Sequence, residues 1–278
     1  MVDWHPDRWN LGAAKKIIHI DTQPAEVDQK YNIDVEIIGD IKDAFSALTA
    51  GLTDAHMTRT DSYKDTMVKI RRTMKAELAE HNDDEGFPIK PQRILSDVRK
   101  VMGDHDILIS DVGAHKMWVA RQYPAHEPAT CIISNGFCSM AGSVPGAMAA
   151  KRVFPEKNVV ALCGDGGFMM NVQDMITAVR YDMPITVLLW VDNQFGLIKW
   201  KQEAAFGKNS HTELVNPDFA KLADAFGWQA IEVRTAAELV PAMEKAFGEQ
   251  SKPTLVIVPV DYAENMKLTE RLGKIIAQ

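Results

Sequence analysis

Two acidic residues that follow apolar stretches of the sequence could bind a metal ion together. Gly164-Asp165-Gly166-Gly167 comes directly after the apolar run that ends at Cys163, and Asp192 follows the apolar run from Ile185 to Val191. Glycines allow a backbone to approach a phosphate closely, and the free N–H groups of a helix N-terminus bind anions. Asp165 would repel a phosphate there unless a cation lay between them, and Mg²⁺ bound by carboxylate and phosphate is the usual solution.

The interval between the two aspartates supports this prediction. It is long enough for one helix and one returning strand, so Asp165 and Asp192 would follow neighbouring parallel strands. Ligands bind at the carboxyl ends of the strands in such sheets. Gly-Asp-Gly-Gly alone could be a simple turn, but its combination with Asp192 predicts a site for a phosphate and a divalent metal.

The elements that must position these residues form a repeated strand–helix pattern from residue 89 onward. Near-continuous apolar runs are typical of parallel strands buried on both faces. Repeated β-α-β order predicts a doubly wound parallel α/β domain over residues 89–278. The predicted strands are Asp106–Ser110, Cys131–Ser134, Asn158–Cys163, Ile185–Val191, Ala230–Val233 and Thr254–Val258. The predicted helices are Gln92–Val101, His115–Gln122, Met140–Arg152, Val172–Tyr181, Leu197–Ala205, Phe219–Phe226 and Ala236–Phe247.

The first third of the sequence predicts a different organisation. Two short β-branched runs, Lys15–Asp21 and Val35–Asp40, predict strands, and a helix is predicted from Ile41 to Leu52. These elements are too few for a domain, so we interpret residues 1–60 as a partial α/β domain remnant. A charged helix over Asp61–His81 and the polar residues 82–88 predict a helical linker, residues 61–88.

Composition and charge exclude several classes of function. The 278 residues carry a formal net charge of −7 and no long basic block, which argues against nucleic acid or an anionic membrane as a partner. No apolar run approaches the roughly 18 residues of a membrane-spanning helix, and the N-terminus does not resemble a signal peptide. The three cysteines, an odd number without Cys-x-x-Cys spacing, favour reduced thiols and a cytoplasmic protein.

Several motifs together resemble a known family. Gly164-Asp165-Gly166 followed by Asp192-Asn193 resembles the motif of enzymes that use thiamin diphosphate (ThDP). The sequence is most similar to the acetolactate synthase family, especially its catabolic type, because Asp192 stands where anabolic relatives have Asn. The segments that carry this resemblance are Ile17–Asp21, Pro24–Glu26, Ile109–Trp118, Ile133–Met140 and Pro259–Asn265. The resemblance extends over nearly the whole chain.

The resemblance implies a ThDP-binding fold and a role for each matching residue. Asp165 and Asp192 would bind Mg²⁺ through their side chains, and Gln194 through its backbone carbonyl. Met140 would support the bent cofactor, and the Cys138 carbonyl would accept a hydrogen bond from its 4′-amino group. Leu197 and Ile198 would flank the pyrimidine. The diphosphate would lie against Val112, Gly113, Ala114, His115, Gly166 and Gly167, beside Gly164.

The resemblance also implies a reaction, the decarboxylating condensation of two pyruvates to 2-acetolactate. In this family a glutamate of an N-terminal pyrimidine-binding domain activates ThDP, and the sequence contains no such domain. We therefore expect the chain to be the C-terminal part of a homodimeric or homotetrameric enzyme, and to be inactive alone. FAD, which anabolic relatives bind mainly through other segments, is not predicted.

Three alternatives remain open. Lys199-Trp200-Lys201-Gln202 departs from both branches of the family, so another 2-oxo acid, such as glyoxylate or benzoylformate, could be the substrate. The chain could also be a cofactor-binding subunit of a split enzyme. Finally, it could be a structural Rossmann-like domain that binds no cofactor.

Overall fold

The computed structural model describes residues 9–10, 12–25, 31–52, 61–249 and 251–276. The chain divides into two compact units, Met1–Thr73 with Thr269–Gln278 and Met74–Leu268. The domain boundaries that the sequence suggested, after residues 60 and 88, stay a prediction. No helix among the described residues is both long and apolar enough to cross a membrane.

The smaller unit contains a two-stranded parallel sheet. Strands β1 (Ile18–Asp21) and β2 (Val35–Ile38) pair with Ile18 beside Val35, and helix α1 (Ile41–Gly51) follows. The carboxylate of Asp40 caps α1 by accepting hydrogen bonds from the backbone N–H groups of its first turn. These elements lie where the sequence predicts them. Their interpretation as a remnant of a larger domain stays a prediction.

The larger unit contains a six-stranded sheet in which every described strand pair is parallel. Its spatial order is β4-β3-β5-β6-β8-β7, and helices flank it, so the predicted doubly wound α/β fold is confirmed. The strands are β3 (Ile107–Ser110), β4 (Cys131–Ile133), β5 (Val159–Gly164), β6 (Thr186–Val191), β7 (Gln229–Glu232) and β8 (Thr254–Pro259). Its helices are α3 (Pro91–Val101), α4 (Ala114–Gln122), α5 (Ser143–Val153), α6 (Asp165–Met170), α7 (Asp174–Arg180), α8 (Gly196–Phe206), α9 (Phe219–Ala225) and α10 (Leu239–Gly248). Two further helices, α2 (Asp61–Ala79) and α11 (Asn265–Ile276), have residues in both units.

The two central strands, β5 and β6, lie at the centre of the core. Residues 159–163 and 186–190 are buried without interruption. Burial on both faces requires apolar side chains at successive positions, which is why these strands lack the alternation of a half-exposed sheet. This rigid pair fixes the places where the residues after β5 and β6 leave the sheet.

Three elements differ from the sequence prediction. Helix α5 begins at Ser143 and not at Met140, because Cys138 and Ala141 adopt positive φ angles of 56° and 70° that a right-handed helix excludes. Helix α6 begins at Asp165. The sequence predicts only a loop there, because two glycines of this helix have low helix propensity. Helix α11 occupies Asn265–Ile276, where no helix was predicted.

Candidate functional site

One pocket lies at the carboxyl ends of β3, β5 and β6. Residues Gly164 and Trp190 are neighbours in the β5–β6 pair, so Asp165 and Asp192 leave the sheet at the same edge. All predicted site residues except Cys138 line this pocket. They are Val112, Gly113, Ala114, His115, Met140, Gly164, Asp165, Gly166, Gly167, Asp192, Gln194, Leu197 and Ile198. The structure therefore brings together residues that are distant in sequence, while their individual roles stay a prediction.

Asp165 is a buried carboxylate that accepts several hydrogen bonds. Its Oδ1 accepts from the Gly166 N–H at 2.8 Å. Its Oδ2 accepts from the Asn193 N–H and from Nδ2 of Asn216, each at 2.7 Å. Burial raises the pKa of Asp165, and these hydrogen bonds act in the opposite direction. The carboxylate is thus held in one orientation by donors from three parts of the chain.

The surroundings of Asp192 disfavour the charged form of its carboxylate. Burial, followed by the negative charge of Asp165, raises the pKa of Asp192 to about 7, while a hydrogen bond with the backbone of Gln194 and the charge of Lys199 oppose the shift. Two partly buried carboxylates that repel each other are stabilised when a cation lies between them. The chemistry of this donor pair therefore fits a divalent metal.

The carboxylate pair would not complete a metal site by itself. Among the described residues, no group of three or more His, Cys, Asp or Glu side chains could hold a metal ion. Mg²⁺ in proteins often uses one or two carboxylates and completes its shell with substrate phosphates and water. The pair therefore suits a cation that arrives with a phosphorylated ligand.

The segment that contains Gln194 is held by a neighbouring loop. The Phe195 N–H donates to the Thr212 carbonyl at 2.7 Å, and the Leu214 N–H donates to the Asn193 carbonyl at 2.9 Å. The Gln194 side chain accepts from the Thr212 hydroxyl at 3.0 Å. The side chain is thus occupied, which is consistent with the prediction that Gln194 would bind the metal through its backbone.

His115 is a buried neutral imidazole in the wall of the pocket. Burial lowers the pKa of His115 to about 4, and a hydrogen bond with the Asp111 backbone opposes that shift. Its Nε2 is buried and has no hydrogen-bond partner among the described residues. The hydrogen bond with the Asp111 carbonyl uses the single N–H of the neutral ring, so Nε2 carries a lone pair and cannot donate to an anion. The predicted diphosphate contact of His115 would therefore be made by its backbone N–H, in the first turn of α4.

Glycines surround the pocket where other chain segments approach closely. A Cβ atom at Gly113 would lie 2.6 Å from Cε1 of His115, and one at Gly167 would lie 2.5 Å from Oδ2 of Asp111. A Cβ at Gly166 would lie 3.0 Å from side-chain atoms of Leu214 and Phe195. Only glycine leaves these distances free of overlap, so the spacing of glycines reflects packing as well as room for a ligand.

Cys138 lies outside the pocket lining. It is half-buried, and its Sγ lies 3.4 Å from Nζ of Lys116, which also donates to the Ser134 carbonyl at 2.9 Å. Lys116 thereby links helix α4 to the loop that contains Cys138 and Met140. The predicted role of the Cys138 carbonyl as an acceptor for the cofactor stays a prediction.

The sequence analysis missed several residues of the site. Phe195, Gly196 and Tyr262 also line the pocket. Burial and the charges of Asp192 and Asp165 raise the pKa of Tyr262 well above its usual value. Tyr262 lies in the segment Pro259–Asn265, which carries the family resemblance, but the sequence predicted no binding role for it. Asn216 was not singled out at all, and its position in a polar loop offered no signal.

The family comparison agrees with this geometry. Residues 111–258 match the model of a family described as thiamine pyrophosphate enzyme, C-terminal TPP binding domain. The matched residues make up more than half of the chain, which therefore belongs to this family of ThDP-binding proteins.

Individual relatives refine the resemblance. The chain is 28% identical to an acetolactate synthase of Bacillus subtilis and 30% identical to a catabolic acetolactate synthase of Raoultella terrigena. Each match covers 98% of this chain and 48% of the relative. An acetolactate synthase large subunit of Haemophilus influenzae is 30% identical over 90% of this chain and 44% of its own length. The similarity to acetolactate synthases is thus confirmed, and the chain spans about half the length of these relatives.

Proposed function

We propose that this chain forms the diphosphate- and metal-binding part of a ThDP- and Mg²⁺-dependent enzyme that condenses two pyruvates to 2-acetolactate with loss of CO₂. The observation that carries the proposal is the pair of carboxylates, Asp165 and Asp192, at adjacent strand ends beside a glycine-lined pocket. The acetolactate synthases among its relatives supply the reaction.

Different residues of the pocket would bind the metal ion and the diphosphate. Asp165 and Asp192 would hold Mg²⁺ with the Gln194 carbonyl, and the cation would neutralise diphosphate charge. The backbone N–H of His115, in the first turn of α4, would donate to a diphosphate oxygen. The N–H groups at the start of α6 would add further donors.

When bound, ThDP would supply the carbon nucleophile that attacks the 2-oxo acid and would accept the electron pair left by departing CO₂. The chain would orient the cofactor and exclude water from it. Met140 lines the pocket from one side, and Leu197 and Ile198 from helix α8. These apolar side chains would shape the space around the pyrimidine.

A further carboxylate would be needed to activate the cofactor. Asp165 and Asp192 are the carboxylates in the described lining of the pocket, and both would be engaged by the cation. We therefore expect the activating glutamate to come from a pyrimidine-binding domain, as in the family. We also expect the 278 residues alone to bind ThDP weakly and not to turn over.

The setting of the complete enzyme follows from the same resemblance. We propose a cytoplasmic homo-oligomer, because ThDP sites of this family form between two subunits. All three cysteines are free thiols, which is consistent with a reducing compartment. Sedimentation velocity of the complete enzyme would test the oligomer, and a single monomeric species would contradict it.

Calorimetry tests the proposed function directly. ThDP is titrated into the purified chain with MgCl₂ and, in parallel, with EDTA. Binding that requires Mg²⁺ and is lost in Asp165→Ala supports the proposal. Absence of Mg²⁺-dependent binding, even when the pyrimidine-binding domain of a relative is supplied, would contradict it and favour a structural domain. Steady acetolactate formation by the chain alone would contradict the expected inactivity.

Helix α8 favours a second candidate, a ThDP-dependent enzyme that acts on another 2-oxo acid. Lys199 and Trp200, which depart from the family pattern, line a second pocket of about 370 Å³ beside Asp192. Comparison of pyruvate, glyoxylate and benzoylformate as donors, with the missing domain supplied, distinguishes the two. Preference for pyruvate supports acetolactate synthesis, and preference for another acid supports the alternative.

A further inference from the structure

Asn216 connects the two loops that carry the candidate metal ligands. Its side-chain amide donates to Oδ2 of Asp165 at 2.7 Å and to Oδ1 of Asn193 at 2.9 Å. Asn193 directly follows Asp192, and its own N–H donates to the same Oδ2 at 2.7 Å. One half-buried amide thus contacts the loop after β5 and the loop after β6.

Asn216 is presented by a segment that is itself fixed. We call residues 212–216 the clamp segment. In this segment the Thr212 carbonyl accepts a hydrogen bond from the Phe195 N–H. The Leu214 N–H donates to the Asn193 carbonyl. Thr212 is buried, and its hydroxyl bonds the Gln194 side chain. The clamp segment therefore lies beside residues 193–195, and its last residue, Asn216, contacts Asp165.

The hydrogen bonds leave the two oxygens of Asp165 in different states. A carboxylate oxygen accepts about two hydrogen bonds or metal contacts. Oδ2 already accepts two donors, from Asn193 and Asn216, whereas Oδ1 accepts one, from the Gly166 N–H. The remaining acceptor direction of Asp165 is therefore on Oδ1.

We infer that Asn216 is a positioning residue of the metal site, which holds Asp165 so that Oδ1 faces the divalent cation. The inference rests on the proposed function, because it assumes that the two aspartates bind the metal. Without the Asn216 amide, Asp165 could rotate, and one of two buried carboxylates would lose its charge-compensating donor. Removal of such a supporting group typically weakens metal binding by roughly 10- to 100-fold.

The test uses Mn²⁺ as the probe and the full 278-residue chain. Mn²⁺ is titrated at pH 8 in the presence of a fixed excess of ThDP, because the two aspartates leave part of the metal shell to a phosphorylated ligand. Unbound ion is measured by its electron paramagnetic resonance signal. The variants are Asn216→Ala and Asn216→Leu, which keeps the branched shape without a donor. Asn158→Ala is the matched control, because the half-buried Asn158 amide also donates to a carboxylate, Asp106, at 3.1 Å, at the opposite end of the strands. Thermal unfolding in EDTA is measured for each protein.

Each outcome has one meaning. The expected result is a Kd for Mn²⁺ that is raised about 10-fold or more in both Asn216 variants and near that of the wild type in Asn158→Ala. The Asn216 variants should keep the melting temperature of the wild type in EDTA. Equal Mn²⁺ affinity in wild type and Asn216 variants would overturn the inference and leave the proposed function standing. Loss of the metal-free fold in both variants would overturn it in favour of a purely structural role. No Mn²⁺ binding by the wild type would overturn both.

Discussion

Asp111, at the end of β3, accepts a 2.8 Å hydrogen bond from the backbone N–H of Ala141, which lies in the loop before α5. Its other oxygen accepts from the Gly142 N–H at 3.0 Å. Asp111 is buried, and burial raises its pKa while these N–H groups lower it. This carboxylate therefore fixes the loop that presents Met140 to the pocket, although it does not line the pocket itself.

The first prediction concerns Asp111→Ala. The substitution leaves two backbone donors of the loop without their acceptor, so we expect a loss of roughly 2–4 kcal/mol in the free energy of unfolding. Because Met140 would lose its fixed position, Mg²⁺-dependent ThDP binding should weaken as well. Urea denaturation and calorimetry measure the two effects.

Asp106→Ala is the control for that prediction. Asp106 precedes β3 at its other end and accepts hydrogen bonds from the Gly103 and Asn158 N–H groups at 2.8 and 2.9 Å. The Asp106→Ala substitution should lower the free energy of unfolding by a comparable amount, because it also leaves two backbone N–H donors without their acceptor. ThDP affinity should remain that of the wild type. An equal loss of affinity in both variants would mean that general destabilisation, and not the position of Met140, explains the effect.

The second prediction concerns Gly113→Ala. Gly113 has φ 162°, an extended conformation that any residue adopts, so the expected cost comes from packing alone. The added Cβ would lie 2.6 Å from the His115 ring, which is buried. We expect a loss of roughly 1–3 kcal/mol and weaker ThDP binding, since the ring must move.

Gly136→Ala is the matched control, because a Cβ there meets nothing within 4 Å. Its stability should change by less than about 0.5 kcal/mol. Urea denaturation of both variants compares them. A neutral Gly113→Ala would show that the His115 ring is not held in place by its surroundings.

The third prediction concerns Asp192→Asn. In the absence of metal, Asp192 and Asp165 repel each other, so removal of one charge should raise the free energy of unfolding at pH 8 by about 1–2 kcal/mol after solvent screening. With Mg²⁺ and ThDP the order should reverse, because the variant loses a charged ligand. Denaturation in EDTA and in Mg²⁺-ThDP gives the comparison. A variant that is less stable than the wild type in EDTA would contradict the repulsion.

The sequence predicted the position of the metal pair because its signals are local. The apolar runs that end before Asp165 and Asp192 require buried parallel strands, and their spacing requires adjacent strands. The structure pairs Gly164 with Trp190, as that reasoning expected. No long-range information was needed, since each aspartate directly follows its strand.

The supporting contacts of the site could not be predicted in the same way. Asn216 reaches Asp165 across 51 residues, and Asp111 reaches Ala141 across 30 residues. Each pairing depends on how the loops pack in the folded chain. The residue types Asn and Asp alone do not indicate which backbone or side-chain group they will contact. The late start of α5 has a similar origin, because the left-handed Ala141 places its N–H on Asp111 and excludes a helix there. Tertiary contacts overrode local propensity at these points.

The last prediction concerns the pH dependence of stability and the substitution His115→Gln. Burial lowers the pKa of His115 from 6.5 to about 4 in the folded chain. Above pH 6.5 the ring is neutral in both states and contributes no pH dependence. As the pH falls from 6.5 to 4, the unfolded chain binds a proton that the folded chain does not, so stability is lost. The loss should reach about 3 kcal/mol near pH 4.

His115→Gln isolates this effect. The raised pKa values of Asp165 and Asp192 act in the opposite direction, but they are present in both proteins and cancel in the difference. Urea denaturation in EDTA between pH 7 and pH 4 should therefore show wild type losing stability relative to the variant. A constant difference between wild type and His115→Gln across this range would contradict the lowered pKa, because His115 would then bind a proton equally well in the folded and unfolded chains.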